Sequence, residues 1–169
     1  MVQSQILVLD LERLFEESLL GQRMISDHKT EREAMAARNR KLEAELEAEE
    51  QRLTGLRAET SPVKFRELAD AFDAKVQKIR RDSERRVLDL ERDRERLPIA
   101  FLRQVEPVLT QVMRDVGGMV VLDARTVLFR AEAVDMTDTA IVRIDKVIGT
   151  DGPGETPTDP PQPEATGAE

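Results

Sequence analysis

A chain of 169 residues with 36% charged and 3% aromatic side chains, and a formal net charge of −8, is too poor in large apolar groups for a thick globule; it suits long solvated helices. The acidic balance argues against a nucleic-acid binder held by a basic surface, and the absence of Cys rules out a disulfide frame and a thiolate metal site. No apolar run reaches about 18 residues, so no membrane-spanning helix is expected.

The first residues, Met1–Gln5, lack the basic and apolar segments of an export signal, so the chain reads either as cytosolic or as a mature form. "QILVLD" (Gln5–Asp10) is a short apolar run and predicts a buried strand. In "LERLFEESLLGQRMI", Leu11, Leu14, Phe15, Leu19 and Leu20 recur near helical spacing and predict a short helix that Gly21 bends or ends. Residues 5–21 are thus the first piece of a small body. A charged helix follows to about Ala58. "ETSPVKF" (Glu59–Phe65) places a turn near 59–63: Ser61 can cap the next helix, and Pro62 fits a first helical position, where its missing N–H costs nothing. A second long helix runs from Val63 to about Val116.

"GGMVVLDARTVLF", residues 117–129, breaks the helical pattern. It predicts a strand pair, Met119–Leu122 and Val127–Phe129, around a turn, with Ile6–Leu9 as a third strand. "DMTDTAIVRIDKVIG" predicts a closing helix, with Asp135 or Thr137 as N-cap and Gly149 just past its end. Residues 150–169, rich in Pro, Gly, Thr and acids, have nothing apolar beyond Ala to bury and predict a disordered tail.

The long helices carry the main periodic signal. Met35, Asn39, Leu42, Leu46, Glu49, Leu53 and Leu56 follow a 4-3-4-3-4-3 spacing, a heptad seam with two polar members. Phe65, Leu68, Phe72, Val76, Ile79, Ser83, Val87, Leu90 and Leu97 form a looser stripe on the return helix. Two such stripes around a Ser-Pro turn predict an antiparallel helical hairpin over residues 22–97. An arm of about 35 residues per helix is some 50 Å long. The stripes close the hairpin on itself, while Met35 and Val63 are candidates for touching something else.

Two prolines interrupt the return helix. Pro98 and Pro107 each remove a backbone hydrogen bond and crowd the preceding turn, at about 3 kcal/mol in a helix interior. Either the charged helix ends near Arg96 and a body helix starts at Pro98, or the helix is kinked there. In both cases Leu97–Pro98 marks the change from charged arm to apolar body. Residues 98–149 are read as the rest of the body, and the two prolines as hinge candidates.

Charge along the hairpin nearly cancels, with 18 Lys or Arg and 17 Asp or Glu from Lys29 to Arg96. It is not evenly spread: "EAELEAEE" (Glu43–Glu50) is acidic and "KIRRDSERR" (Lys78–Arg86) basic. These blocks read either as a solvated face laced with i,i+4 pairs or, for the basic one, as a surface for an anionic client. No catalytic set emerges. His28 is the only His, Gly117–Gly118 is followed by a strand rather than the helix a phosphate loop needs, and no nucleophile has a base and an orienting partner. The expectation is a protein without enzymatic activity, cofactor or metal.

The short strands raise the question of what covers them. Neither "VVL" nor "VLF" alternates with polar residues, so both sheet faces are apolar. Short helices can cover one face and copies of the same sheet from other subunits the other. Each side chain that loses about 100 Å² of exposed apolar surface contributes about 2.5 kcal/mol. Ile6, Leu7, Val8, Leu9, Val120, Val121, Leu122, Val127, Leu128 and Phe129 are therefore the candidate assembly residues. The seam residues Met35, Leu42, Leu46, Leu53, Leu56, Phe65, Leu68, Phe72, Val76 and Ile79, with Val63, are the candidates for closing the arm or contacting a client. The fold class expected is α+β: a coiled-coil arm on a small β body completed by oligomerisation.

"ILVLDLERLFEES", "GGMVVLDARTVLF" and "AVDMTDTAIVRIDKV" together resemble the OmpH family. Ile6–Asp10, Phe15, Val120–Asp123, Val127–Phe129 and Asp135–Thr137 carry the resemblance, which spans roughly residues 5 to 149. It implies a homotrimer with a β body and three helical arms around a cavity, acting in the periplasm as an ATP-independent holdase for unfolded outer-membrane β-barrel proteins. Familiar members are basic and this chain is acidic, which argues against a strong positive field directed at anionic lipid. Two other classes fit the residues without the resemblance: a cytosolic chaperone of prefoldin type, and a structural coiled-coil adaptor or stalk subunit.

Overall fold

The computed structural model describes residues 5–149. Residues 1–4 and 150–169, with the expected disordered tail, lie outside the described residues. In chain order the elements are β1 (Ile6–Leu9), α1 (Leu11–Glu17), α2 (Leu19–Leu56), α3 (Pro62–Asp115), β2 (Val120–Asp123) and α4 (Thr137–Val147). The fold class is α+β, a long helical hairpin with a small sheet, as expected.

Two compact units divide the described chain. One comprises residues 5–21 and 102–149, the other Gln22–Phe101. The second is the hairpin, and its limit falls four residues beyond the boundary expected at Leu97. The turn forms as its residues dictate: α3 starts at Pro62, the Ser61 carbonyl accepts from the Phe65 N–H at 2.9 Å, and the Ser61 hydroxyl accepts from the Lys64 N–H at 3.4 Å. α3 then continues unbroken through Pro98 and Pro107, so no separate body helix begins at Pro98. Both prolines are exposed, and so are Arg94 and Arg103, whose carbonyls lose their helical donors and are left to water.

In the first unit the sheet has two strands, and they are parallel. β1 pairs with β2 in the register Ile6↔Val120, Leu7↔Val121, Val8↔Leu122 and Leu9↔Asp123. The other edge of β1 is held by a bridge from Val8 to Asp135 and by the Met136 N–H, which donates to the Val8 carbonyl at 2.9 Å. The expected strand at Val127–Phe129 does not form. Instead Asp123 ends β2 by capping a 3-10 turn over Ala124–Thr126: its carboxylate accepts from the Arg125 N–H at 3.0 Å and its carbonyl from the Thr126 hydroxyl at 2.7 Å.

The core of this unit is built from regularly spaced side chains. Leu14 of α1, Val105 and Val112 of α3, and Ala140 and Ile144 of α4 are at most 1% exposed, and Leu7–Leu9 join them from β1. The break between α1 and α2 falls at Ser18 rather than at Gly21. Ser18 is fully buried, and its hydroxyl accepts from the Gly21 N–H at 3.3 Å. Gly21 lies inside α2, where a Cβ would sit 1.7 Å from the Phe15 carbonyl oxygen; the residue is needed for close approach, not for a turn. Gly149, at φ 59°, follows the end of α4 in the left-handed conformation expected of it.

Candidate functional site

In the hairpin the seam forms, but thinly. Met35, Leu42, Leu46, Leu53, Leu56, Phe65, Leu68, Phe72, Val76 and Ile79 are each half-buried; two helices have only each other to cover their stripes. The polar members of the seam find partners across it. The Ser83 hydroxyl donates to Asn39 Oδ1 at 3.2 Å, and Lys75 Nζ bonds the Glu49 carboxylate. His28 Nε2 lies 2.9 Å from the Leu90 carbonyl, a structural contact between the helices. Near the turn the Arg57 guanidinium sits 5.9 Å from the centre of the Phe65 ring. Val63, beside the turn, is 73% exposed.

Along one edge the seam opens into a groove of about 730 Å³. Leu42, Leu46, Phe72, Val76 and Ile79 form its apolar floor. Its rims are Glu43, Glu47 and Glu50 from α2 and Asp73, Gln77 and Arg80 from α3. The apolar stripe marks the floor in the sequence, and the acidic block at Glu43–Glu50 marks the α2 rim. Met35 lines a second, smaller groove of about 390 Å³ with Arg38, Arg86 and Leu90.

In the other unit the candidate assembly residues separate into two groups. Leu7, Val8 and Leu9 are buried within the single chain, and Val121 and Val127 half-buried. Ile6, Val120 and Leu122 are exposed, and Leu128 and Phe129 are 88% and 89% exposed. Met119, 69% exposed, extends this apolar surface. Among the described residues the outer edge of β2 has no strand beside it.

The matching motifs of the two chain ends meet in one polar network. The Asp10 carboxylate caps α1 through the Arg13 N–H at 3.0 Å, while the Asp10 N–H donates to the Thr137 hydroxyl at 2.9 Å. That hydroxyl donates to Asp135 Oδ1 at 2.6 Å, which also accepts from the Thr137 N–H at 2.9 Å. Arg130 closes the set on Asp135 Oδ2 at 3.0 Å. Burial pushes the Asp135 carboxyl up, but the hydrogen bonds from Thr137 and the nearby Arg130 outweigh it and hold the group below the usual carboxylate range. Arg125, by side-chain and backbone hydrogen bonds, likewise holds the Asp123 carboxyl low. A further tie had no sequence signal: Asp145 of α4 accepts from the Leu19 N–H at 2.8 Å and caps the start of α2. These contacts position strands and helices, and the Thr137 hydroxyl at their centre is fully buried. Among the described residues no group of three or more His, Cys, Asp or Glu is placed to hold a metal ion, and no helix is long and apolar enough to cross a membrane.

A long helical hairpin whose sheet joins the two ends of the chain defines a class of α+β hairpin proteins. Within it, the model of the family described as outer membrane protein (OmpH-like) matches residues 5–144, and the chain belongs to that family. Its members are not enzymes. A proposed OmpH-like outer membrane chaperone from Caulobacter crescentus has the same fold, with a TM-score of 0.76 and 20% identity over 86% of each chain. No curated protein matches the chain.

Proposed function

We propose that this chain is a holdase chaperone that keeps unfolded outer-membrane β-barrel proteins from aggregating, without nucleotide, in the periplasm. Family membership over residues 5–144 supports the chaperone role, and the observation that carries the mechanism is the half-buried seam along the hairpin. An unfolded β-barrel protein exposes alternating apolar side chains and unpaired strand edges. A seam that remains accessible along its length offers many weak, exchangeable apolar contacts, which suit clients of varied sequence better than one deep pocket does. The exposed Met119, Val120, Leu122, Leu128 and Phe129 support assembly of the body as a homotrimer, in which several arms enclose one client.

The test is dilution of urea-unfolded β-barrel proteins of unrelated sequence into buffer with the full chain and no nucleotide. Light scattering should stay low for all of them. Undiminished aggregation of every client would overturn the holdase reading and favour an adaptor that grips one fixed helical partner.

A further inference from the structure

The groove on the hairpin is unequal in charge. Glu43, Glu47, Glu50 and Asp73 stand on its rims against the single cation Arg80. None of these four carboxylates is in an ion pair among the described residues. Glu43 and Glu47 are four residues apart, and Glu47 and Glu50 three, so like charges face each other along one side of α2, an arrangement that weakens a helix. Heptad spacing puts Arg38, Lys41, Lys75 and Lys78 on the opposite flank of the seam. There Lys41 pairs with Glu45, and both Lys75 and Arg52 reach Glu49 of the seam. Glu45 and Glu49 are thus neutralised, while the four acids of the groove are left open.

We propose that the groove binds cationic, strand-forming segments of unfolded polypeptides, in which apolar and Lys or Arg residues alternate. This rests on the holdase reading and specifies the client segment. In an extended segment successive side chains point to opposite sides, so apolar groups meet Leu42, Leu46, Phe72, Val76 and Ile79 while the long stems of Lys and Arg bend back to the rim carboxylates. A second copy of the arm is the poorer occupant. Two of the cations on its other flank are already engaged, Lys41 with Glu45 and Lys75 with Glu49, and so bring little free charge to the rims.

Fluorescence anisotropy with the full chain tests this, using two labelled unstructured peptides that share Val, Leu and Phe at alternate positions and differ in having Lys or Glu between them. The Lys peptide should bind roughly ten-fold more tightly at low salt, a preference that salt reduces. Neutralising the rims (Glu43→Gln, Glu47→Gln, Glu50→Gln and Asp73→Asn together) should abolish the preference, and Glu47→Lys with Glu50→Lys should reverse it. Lys41→Gln with Lys78→Gln, on the other flank, should leave it intact. Equal binding of both peptides, or a preference that survives rim neutralisation, overturns the proposal. So does a change in sedimenting mass on neutralisation, which would give the groove to a second copy. Aggregation of an unfolded β-barrel protein is followed with the same samples. Suppression that persists without the peptide preference sinks only this inference, whereas absent suppression sinks the holdase reading.

Discussion

Thr137 has no accessible surface, and its hydroxyl both accepts from the backbone of Asp10 and donates to Asp135. Thr137→Val keeps the shape and orphans the half-buried Asp10 N–H, so it should lower stability by about 1 kcal/mol in urea unfolding. Thr137→Ser retains the hydroxyl and should lose less; equal losses for Val and Ser would mean that the methyl group matters and the hydrogen bonds do not. Asp135 adds a pH dependence. Its carboxyl is held below the usual range in the folded chain, so the unfolded chain binds more protons as pH falls through that range. Its contribution is complete above the ordinary carboxylate value and disappears as pH drops through the folded one. Asp135→Asn should therefore be less stable than the parent at neutral pH, with the deficit shrinking below about pH 4. A deficit constant with pH would show that the charge contributes nothing.

At the scale of elements, Pro98 lies in α3 close to the limit between the two compact units at Phe101 and Leu102. We propose it as a hinge, since the bond missing at Arg94 lowers the cost of bending there. Pro98→Ala should slow amide hydrogen exchange around residues 94–102 and narrow the distances between spin labels placed near Ser61 in the assembled protein. Unchanged exchange and an equally broad distribution would leave Pro98 without a hinge role. What was legible in advance was local. The seam from Leu42 to Leu56, the Ser61–Pro62 turn and the Gly149 end depend on residues a few positions apart, so their spacing announces them. Strand direction was not local. "VVLDARTVLF" has the composition of a hairpin, yet the Asp123 side chain turns the chain by capping, and the partner of Val120–Asp123 lies at the opposite end of the sequence. The groove was half legible: heptads mark its floor, but which flank each carboxylate takes depends on how α2 and α3 face each other.

For the whole molecule, Leu128 and Phe129 test assembly more cleanly than buried residues do. Val121 is half-buried in its own chain, so a charge there disturbs folding and assembly together. Leu128 is 88% exposed, and Leu128→Asp should leave the helical content of the chain intact while reducing sedimenting mass to that of a monomer. Its melting temperature should also stop rising with protein concentration. A trimer that survives the change would remove these residues from the proposed interface.

The pairing of Ile6 with Val120 also bears on the order of events during folding. β1 precedes both of its hydrogen-bonding neighbours, β2 and Asp135–Met136, with the two long helices lying between them in the chain. The hairpin, whose contacts close across a short turn, can form in between and shorten the loop that the sheet must close. Until then "ILVL" remains an apolar strand without a partner, the same kind of segment that the assembled protein is proposed to shield in others.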